Sequence, residues 1–123
     1  ELEHVRGYLP MWVGPPRDLA RLQVSKSGRL VAYLDFNKRS FISLGRSPDK
    51  VTYCLDHPSI SRIHALFVHH PRLHSYFLID CASAHGTFVG GKRIEPKVPV
   101  RISDGTGSSE HITFGGSSRV YVL

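Results

Sequence analysis

Three short polar motifs in the 123-residue chain border apolar, strand-like runs, and their residue types suit phosphate binding. They are a glycine–arginine pair (Gly45, Arg46), an S-R-x-H motif (Ser61, Arg62, His64) and an S-x-x-G-T motif (Ser83, Ala84, His85, Gly86, Thr87). Together they offer two guanidinium groups, hydroxyl groups and a glycine turn that can present backbone N–H groups. A dianionic phosphate prefers such a set, because it accepts paired hydrogen bonds from arginine and further directed donors.

Each motif taken alone has a simpler structural explanation. Arg46 and Arg62 could be solvated surface residues, Ser61 could cap a turn, and Gly86 could supply a positive φ angle. Each motif follows or precedes an apolar run, however, so all three could lie at one edge of a β-sandwich. Their joint occurrence in this order therefore favours a shared anion site.

The elements that position these motifs are predicted to be β-strands. Ten short runs are rich in β-branched and aromatic residues, turn-forming residues separate them, and no window shows a sustained helical period. The runs are residues 21–24, 30–36, 40–45, 51–55, 64–70, 75–81, 86–91, 98–102, 111–115 and 119–123. We expect an all-β fold, a β-sandwich of about ten to eleven strands with its loops gathered at two ends.

Residues 1–20 are predicted to form an extended N-terminal arm that packs on a domain of residues 21–123. Three prolines and a glycine between residues 10 and 16 favour extended backbone over helix. We expect Trp12 to fix this arm to the core. The Gly/Ser cluster at 105–109 is predicted to be one flexible hairpin loop.

Length, charge and cysteine content limit the classes of function. A chain of this length can bury its own core without metal or disulfides, and no apolar run approaches the ~18 residues that span a bilayer. Cys54 and Cys81 each lie in an apolar run, which suits buried thiols in a reducing compartment, although one disulfide between them stays open. The net charge of +6 predicts an anionic partner, whether nucleic acid, phosphorylated protein or membrane surface.

Metal binding and catalysis are less favoured by the sequence. His69, His70 and His74 could ligate a metal ion, but a polar face of a hairpin turn explains them better, because further converging ligands are missing. Ser61 or Cys81 could be a nucleophile, yet neither has an orienting third residue or a nucleophile-elbow pattern. We therefore expect no enzyme activity, no cofactor and no metal.

Nucleic-acid binding remains the alternative function. Residues 37–40 and 90–97 are basic segments. The sequence contains no helix-turn-helix, zinc-finger or RNP-like pattern, and its basic residues are spread over many loops.

The order of the three motifs resembles that of the forkhead-associated (FHA) domain, a phosphothreonine-binding β-sandwich, and the resemblance covers residues 21–123. Segments along the chain also resemble, in register, a nuclear subfamily that regulates protein phosphatase 1. These segments are residues 12–16, 45–49, 56–65, 77–80, 85–90, 93–96 and 114–121.

The resemblance assigns roles around the phosphate. It implies that Arg46 and Ser61 contact the phosphate directly and that Arg62 adds charge. His64 is implied to face inward and to brace the binding loop without touching the ligand. The remaining residues implied to support the site are Gly45, Gly86 and Thr87.

The resemblance also implies that Ser83, Ala84 and His85 contact the bound peptide. Many family members have Thr-Asn where this chain has Ala84-His85, and that asparagine normally holds the peptide backbone. Histidine at this position matches the phosphatase-regulating subfamily. The departure therefore leaves open how this chain holds the peptide backbone.

The implied function is a non-enzymatic, monomeric, nuclear module that recruits phosphothreonine-containing proteins, preferably at Thr-Pro sites, such as splicing or chromatin factors. No membrane partner is implied. Protein phosphatase 1 is expected to be contacted only through segments outside this chain. The nearest match to its basic-Val-x-Phe docking pattern is residues 119–122, which lack the aromatic residue and resemble a last strand.

Overall fold

Eleven β-strands form two sheets in the residues described by the computed structural model, which are 2–103 and 109–123. The strands are β1 (Arg21–Lys26), β2 (Arg29–Asp35), β3 (Phe41–Gly45), β4 (Tyr53–Cys54), β5 (Ala65–His70), β6 (Ser75–Asp80), β7 (Thr87–Val89), β8 (Lys92–Arg93), β9 (Val100–Arg101), β10 (Ile112–Phe114) and β11 (Arg119–Val122). One sheet has the order β2-β1-β11-β10-β7-β8 and the other β4-β3-β5-β6-β9. The predicted all-β sandwich is confirmed.

Each of the ten predicted runs overlaps a strand, and β8 is the strand that lies outside them. Turn-forming residues are predicted between the runs 86–91 and 98–102, but Gly90 and Gly91 alone connect β7 to β8, with φ angles of 59° and 80°. Two glycines at positive φ form a tight hairpin loop that lets the chain pair back at once. The hairpin loop predicted at 105–109 falls outside the described residues, apart from Ser109.

The main core lies between the two sheets. Apolar side chains from the inner faces of both sheets form it, as expected for a sandwich. The largest fully buried members are Leu22, Phe36, Ile42, Leu44, Phe67, Leu78, Ile112, Phe114 and Tyr121.

β2 is an outer strand of the larger sheet and is mostly exposed, including Leu30, Val31 and Tyr33. Its pairing with β1 shifts register between Val24 and Ser25. This shift is a β-bulge, which leaves one residue of β2 without a partner and bends the strand.

A second apolar cluster covers the outer face of the smaller sheet. It includes Leu66, Val68 and Ile79 from β5 and β6, and the N-terminal arm supplies Val5 and Trp12. β5 is therefore buried on both faces, which explains why its sequence is a nearly continuous apolar run.

The first turns of the arm are helical, unlike the extended backbone predicted for residues 1–20. Leu2–Val5 form a short α-helix, α1, and Arg6–Tyr8 form a 3₁₀ turn. The reason is that the helix-breaking prolines begin only at Pro10, so nothing in residues 2–8 forbids a helical turn. No helix of the described residues is long and apolar enough to cross a membrane.

Two contacts attach the arm to the smaller sheet. The Trp12 ring stacks on His70 with a centroid distance of 4.6 Å, and it also contacts Phe77 at 5.1 Å. Gly14 and His69 exchange two hydrogen bonds of 3.1 Å, one between backbone groups and one from the His69 Nδ1–H to the Gly14 carbonyl. The prediction that His69 belongs to a polar turn face is wrong, because the arm buries it.

Both cysteines are free, and only one is buried. Burial of Cys81 raises the pKa of its thiol to about 12. The expectation of a buried Cys54 is wrong, because β4 is a two-residue edge strand and leaves that side chain exposed.

We propose that residues 1–20 are part of the folding unit, and replacing Trp12 tests this. Because the ring packs on two aromatic side chains, Trp12→Ala should lower the free energy of unfolding by about 2–3 kcal/mol, below the roughly 3–5 kcal/mol typical of fully buried aromatic residues. Urea denaturation measures this change. The neighbouring Met11 is 103% exposed, so Met11→Ala is the matched control and should leave stability unchanged. Equal stability of both variants would show that the arm does not contribute.

Candidate functional site

Three loops bring the predicted motifs together at one end of the sandwich. They follow β3, precede β5 and connect β6 to β7. Between them lies a cavity of about 300 Å³ whose lining includes five of the predicted residues, Arg46, Ser61, Arg62, Ala84 and His85. The rest of the wall is Pro58, Ser59 and Ile60.

The first two loops are joined backbone to backbone at Gly45. The Arg46 N–H donates to the Ser61 carbonyl over 2.9 Å, and the Ser47 N–H donates to the Arg62 carbonyl over 3.2 Å. A Cβ atom on Gly45 would lie 2.1 Å from the Arg62 carbonyl oxygen. Glycine is therefore needed here to let the two backbones approach each other.

The side chains of Arg46 and Ser61 are anchored on one side and open to the cavity on the other. Arg46 Nε donates to the Ile60 carbonyl over 3.0 Å, and its terminal nitrogens make no hydrogen bond to another described residue. Ser61 Oγ accepts a 3.1 Å hydrogen bond from the Ala84 N–H, which leaves its own proton available to a ligand. Arg62 is exposed at the rim.

His64 is fully buried beneath these loops and uses both ring nitrogens. Its Nδ1 accepts a 3.0 Å hydrogen bond from the Ser61 N–H, so Nε2 carries the proton and donates over 2.8 Å to the Gly86 carbonyl. Desolvation by burial lowers the pKa of His64, although the Gly86 hydrogen bond partly opposes this. The neutral imidazole therefore links the loop before β5 to the loop after β6.

Asp80, which the sequence analysis missed, organises the third loop. Its buried carboxylate accepts hydrogen bonds from the Ser83 N–H (3.1 Å), the Ser83 hydroxyl (2.5 Å) and the Thr87 hydroxyl (2.6 Å). Ser83 Oγ in turn accepts from the Gly86 N–H over 3.0 Å. The available signal was an acidic residue within the apolar run 75–81, because a buried carboxylate requires several donors.

The residues expected to contact peptide divide into two groups. Ala84 and His85 are exposed beside the cavity. Ser83 is buried, and its hydroxyl is engaged by Asp80 and Gly86, so its side chain supports the loop. Gly86 has a φ angle of 88°, which favours glycine.

The described residues do not suggest a metal site. Within residues 2–103 and 109–123, no three His, Cys, Asp or Glu side chains are grouped so that they could hold a metal ion.

Comparison with known proteins identifies the protein family to which this chain belongs. The FHA domain family matches residues 42–115, so the chain belongs to the FHA domain family. FHA domains are phosphopeptide-binding modules, and they are not enzymes.

Particular relatives narrow the resemblance. The chain is 40% identical over 115 residues to nuclear inhibitor of protein phosphatase 1 from Homo sapiens, covering 93% of this chain and 31% of that protein. It is 36% identical over 115 residues to the protein phosphatase 1 regulatory inhibitor subunit PPP1R8 homolog from Arabidopsis thaliana, covering 93% and 30%. The chain thus spans about a third of the length of these relatives.

A solved structure supports the same fold. The solution structure of the FHA domain of TbPar42 superposes with a TM-score of 0.74 at 34% identity, covering 98% of this chain and 65% of that one.

Replacing Gly45 tests whether the backbone contact holds the site. Gly45→Ala places a methyl group against the Arg62 carbonyl, so the free energy of unfolding should fall by about 1–3 kcal/mol, as for other overpacked positions. Chemical denaturation gives the value. Gly7→Ala is the control, because nothing lies within 4 Å of a Cβ atom there, and it should be neutral. A Gly45→Ala protein as stable as the Gly7→Ala protein would contradict the close approach.

The buried imidazole predicts loss of stability on mild acidification. Because the folded-state pKa of His64 lies below its ordinary 6.5, the unfolded chain takes up this proton first as pH falls through that value. The free energy of unfolding should therefore decline below pH 6.5, and His64→Asn should reduce that decline. Urea titrations on either side of pH 6.5 measure it. The buried His69, whose pKa is also lowered by desolvation, supplies a remaining part.

A control variant isolates the effect of His64 in this experiment. His111 is exposed, so His111→Asn should keep the pH dependence of the parent. If the His64→Asn protein also keeps it, the imidazole does not carry the effect.

Proposed function

We propose that this chain is a phosphothreonine-dependent binding domain that recruits phosphorylated nuclear proteins, preferably at Thr-Pro sites. The observation that carries the proposal is the convergence of Arg46 and Ser61 on one cavity, each held by an additional hydrogen bond. The membership of the FHA family supports a phosphopeptide as the ligand.

The charge of the cavity suits a phosphate group. Among the described residues, its lining contains the cationic side chains of Arg46 and Arg62 and no carboxylate. At neutral pH a phosphorylated side chain carries a charge of roughly −1.5 to −2 and three acceptor oxygens. Arg46 can donate two parallel hydrogen bonds to such a group, and Ser61 can add a third.

The apolar part of the wall favours threonine over serine. Ile60 is 2% exposed and lines the cavity beside Ser61, together with Pro58. We infer that the methyl group of phosphothreonine packs on this wall. Burial of one methyl group is worth about 0.8 kcal/mol, or roughly a fourfold preference.

His85 is proposed to hold the backbone of the bound peptide. Its side chain is exposed at the rim, where many FHA domains carry asparagine. A neutral imidazole offers one donor and one acceptor, so it can pair with a peptide group as the amide does. Ala84 has no side-chain hydrogen-bonding group, so it contributes shape and its backbone position.

The relatives suggest where the domain acts. The name of the human relative describes it as a nuclear inhibitor of protein phosphatase 1, so we propose a nuclear location and a phosphatase-regulating context. We propose splicing and chromatin factors as partners, as the resemblance to the phosphatase-regulating subfamily implies. Residues 119–122 form β11, paired with β1 and β10, so we place the contact with protein phosphatase 1 outside this domain.

Removing the proposed phosphate contacts should weaken or abolish binding while the fold is retained. A hydrogen bond to a charged group contributes roughly 1.5–3 kcal/mol, so Ser61→Ala should weaken binding of a phosphothreonine–proline peptide at least tenfold. Arg46→Ala removes the whole fork and should move a micromolar affinity beyond detection. Isothermal titration calorimetry measures both, with the unphosphorylated and phosphoserine peptides as comparisons.

The control is an arginine at the other end of the sandwich. Arg72 is exposed in the turn between β5 and β6, so Arg72→Ala removes the same charge and should bind like the parent. Unchanged affinity in Arg46→Ala, or equal weakening in Arg72→Ala, would replace the phosphate pocket by a general basic surface.

A further inference from the structure

A second cavity of about 220 Å³ lies beside the proposed phosphate pocket. The two cavities share Ile60 in their linings, so the same loop forms the wall between them. The floor of the second cavity is apolar and consists of Leu55, Ile60 and Tyr121, each less than 10% exposed. Its rim, in contrast, is mostly basic and hydroxylic.

Two cationic residues that line this cavity, Lys26 and Arg119, are directly opposite each other in the sheet. Lys26 of β1 pairs with Arg119 of β11, and two residues earlier along β1 the core residues Val24 and Tyr121 form the equivalent pair. Because side chains alternate between the faces of a sheet, both cations lie on the core-facing side. On the core-facing side of the sheet, the buried pair Val24 and Tyr121 is therefore followed by the charged pair Lys26 and Arg119.

A third cation extends the row to the next strand. Lys26 also pairs with Arg29 of β2, so Arg29, Lys26 and Arg119 are neighbours across three strands. Like charges directly opposite in a sheet are destabilising. In the described part of the chain, the salt bridge within 4 Å is between His4 and Glu3. None of the three cations of this row therefore has a described carboxylate within 4 Å. An anion from outside would relieve this repulsion.

Uncharged hydrogen-bond donors complete the rim of the second cavity. Hydrogen bonds also hold the loop that separates the two cavities. Ser117 and His57 line the cavity. His57 Nδ1 accepts a 3.1 Å hydrogen bond from the Ser59 N–H, so the ring proton is on Nε2. Ser59 Oγ accepts a 2.7 Å hydrogen bond from the Gly116 N–H, which ties this loop to the turn after β10. The spacing between the two cavities is therefore held by hydrogen bonds.

We propose that the second cavity binds a second phosphate group on the same phosphopeptide, so that the domain prefers doubly phosphorylated ligands. The proposal rests on the proposed function, because the first phosphate positions the peptide. A phosphate suits the cation row better than a carboxylate, since it carries about twice the charge and an additional acceptor oxygen. Asp56 is the carboxylate on this wall, and it opposes the anion.

The alternative explanation is that Lys26 and Arg119 only cover the apolar floor with their stems. Methionine keeps such a stem without the charge. The double variant Lys26→Met/Arg119→Met therefore separates charge from packing, and Arg72→Met, at the opposite end of the sandwich, is the matched control.

The probes are matched synthetic peptides with one phosphothreonine–proline site. A phosphoserine, a glutamate or a serine is placed at each neighbouring position in turn, and affinities are measured by calorimetry. At one or two positions the second phosphate should raise the affinity of the parent about tenfold or more, and glutamate should raise it less. The double variant should lose this gain and keep the affinity for the singly phosphorylated peptide.

A gain-of-function variant checks the same charge balance without removing any stem. Asp56→Asn removes the opposing carboxylate, so it should increase the gain from the second phosphate and leave singly phosphorylated peptides unaffected. This test stays decisive if the double variant does not fold.

Several results would overturn the proposal. One is that no position of a second phosphate improves binding to the parent; another is that the double variant retains the gain. If the double variant instead loses affinity for single-stranded or duplex oligonucleotides, with phosphopeptide binding unchanged, the row is a nucleic-acid surface. If no phosphothreonine peptide binds the parent at all, the proposed function itself fails and this inference fails with it.

Discussion

The hydrogen bonds of one buried imidazole connect the loops on which the proposed site depends. His64 accepts from the Ser61 N–H and donates to the Gly86 carbonyl, so only one neutral tautomer satisfies both partners. In a low-dielectric interior such a bridge is strong when complete and costly when one partner is lost. The cavity side chains are exposed and polar, but their positions are set by a contact that no solvent reaches.

The bridge is effective because the strand next to it is packed on both faces. β5 begins one residue after His64 and lies between the main core on one face and the cluster with the N-terminal arm on the other. The His64 N–H also donates to the Leu44 carbonyl over 2.8 Å, which continues the ladder into β3. Because His64 directly precedes a strand that is buried on both faces, its two ring hydrogen bonds hold the adjacent loops in place.

The fold and the convergence of the three motifs could be predicted because their signals are local. Alternating and continuous apolar runs indicate strands, and polar motifs at strand ends indicate a shared edge, as found for Arg46, Ser61 and His85. The inward direction of Ser83 could not be predicted from such patterns. Ser83 and Ala84 are adjacent, yet Ser83 turns inward, because Asp80 is buried across the loop and needs its hydroxyl.

Burial by distant segments was equally invisible in the sequence. The sequence predicts His69 as a turn residue, but the N-terminal arm covers it. It predicts Cys54 as a buried residue, but β4 is a short edge strand and leaves it exposed. The row of Arg29, Lys26 and Arg119 brings together residues up to 93 positions apart along the chain, and only the register of three strands shows that they are neighbours.

The bulge in the outer strand β2 has a consequence for how copies of the domain meet. An edge strand with exposed Leu30, Val31 and Tyr33 would normally invite another chain to extend the sheet. The register shift interrupts the row of free N–H and C=O groups midway, so a straight partner strand can follow only part of it. The Arg21 guanidinium lies 3.7 Å from the centre of the Tyr33 ring and places a charge on the apolar surface. An outer strand built in this way disfavours edge-to-edge pairing between copies of the domain, and with it fibre-like stacking.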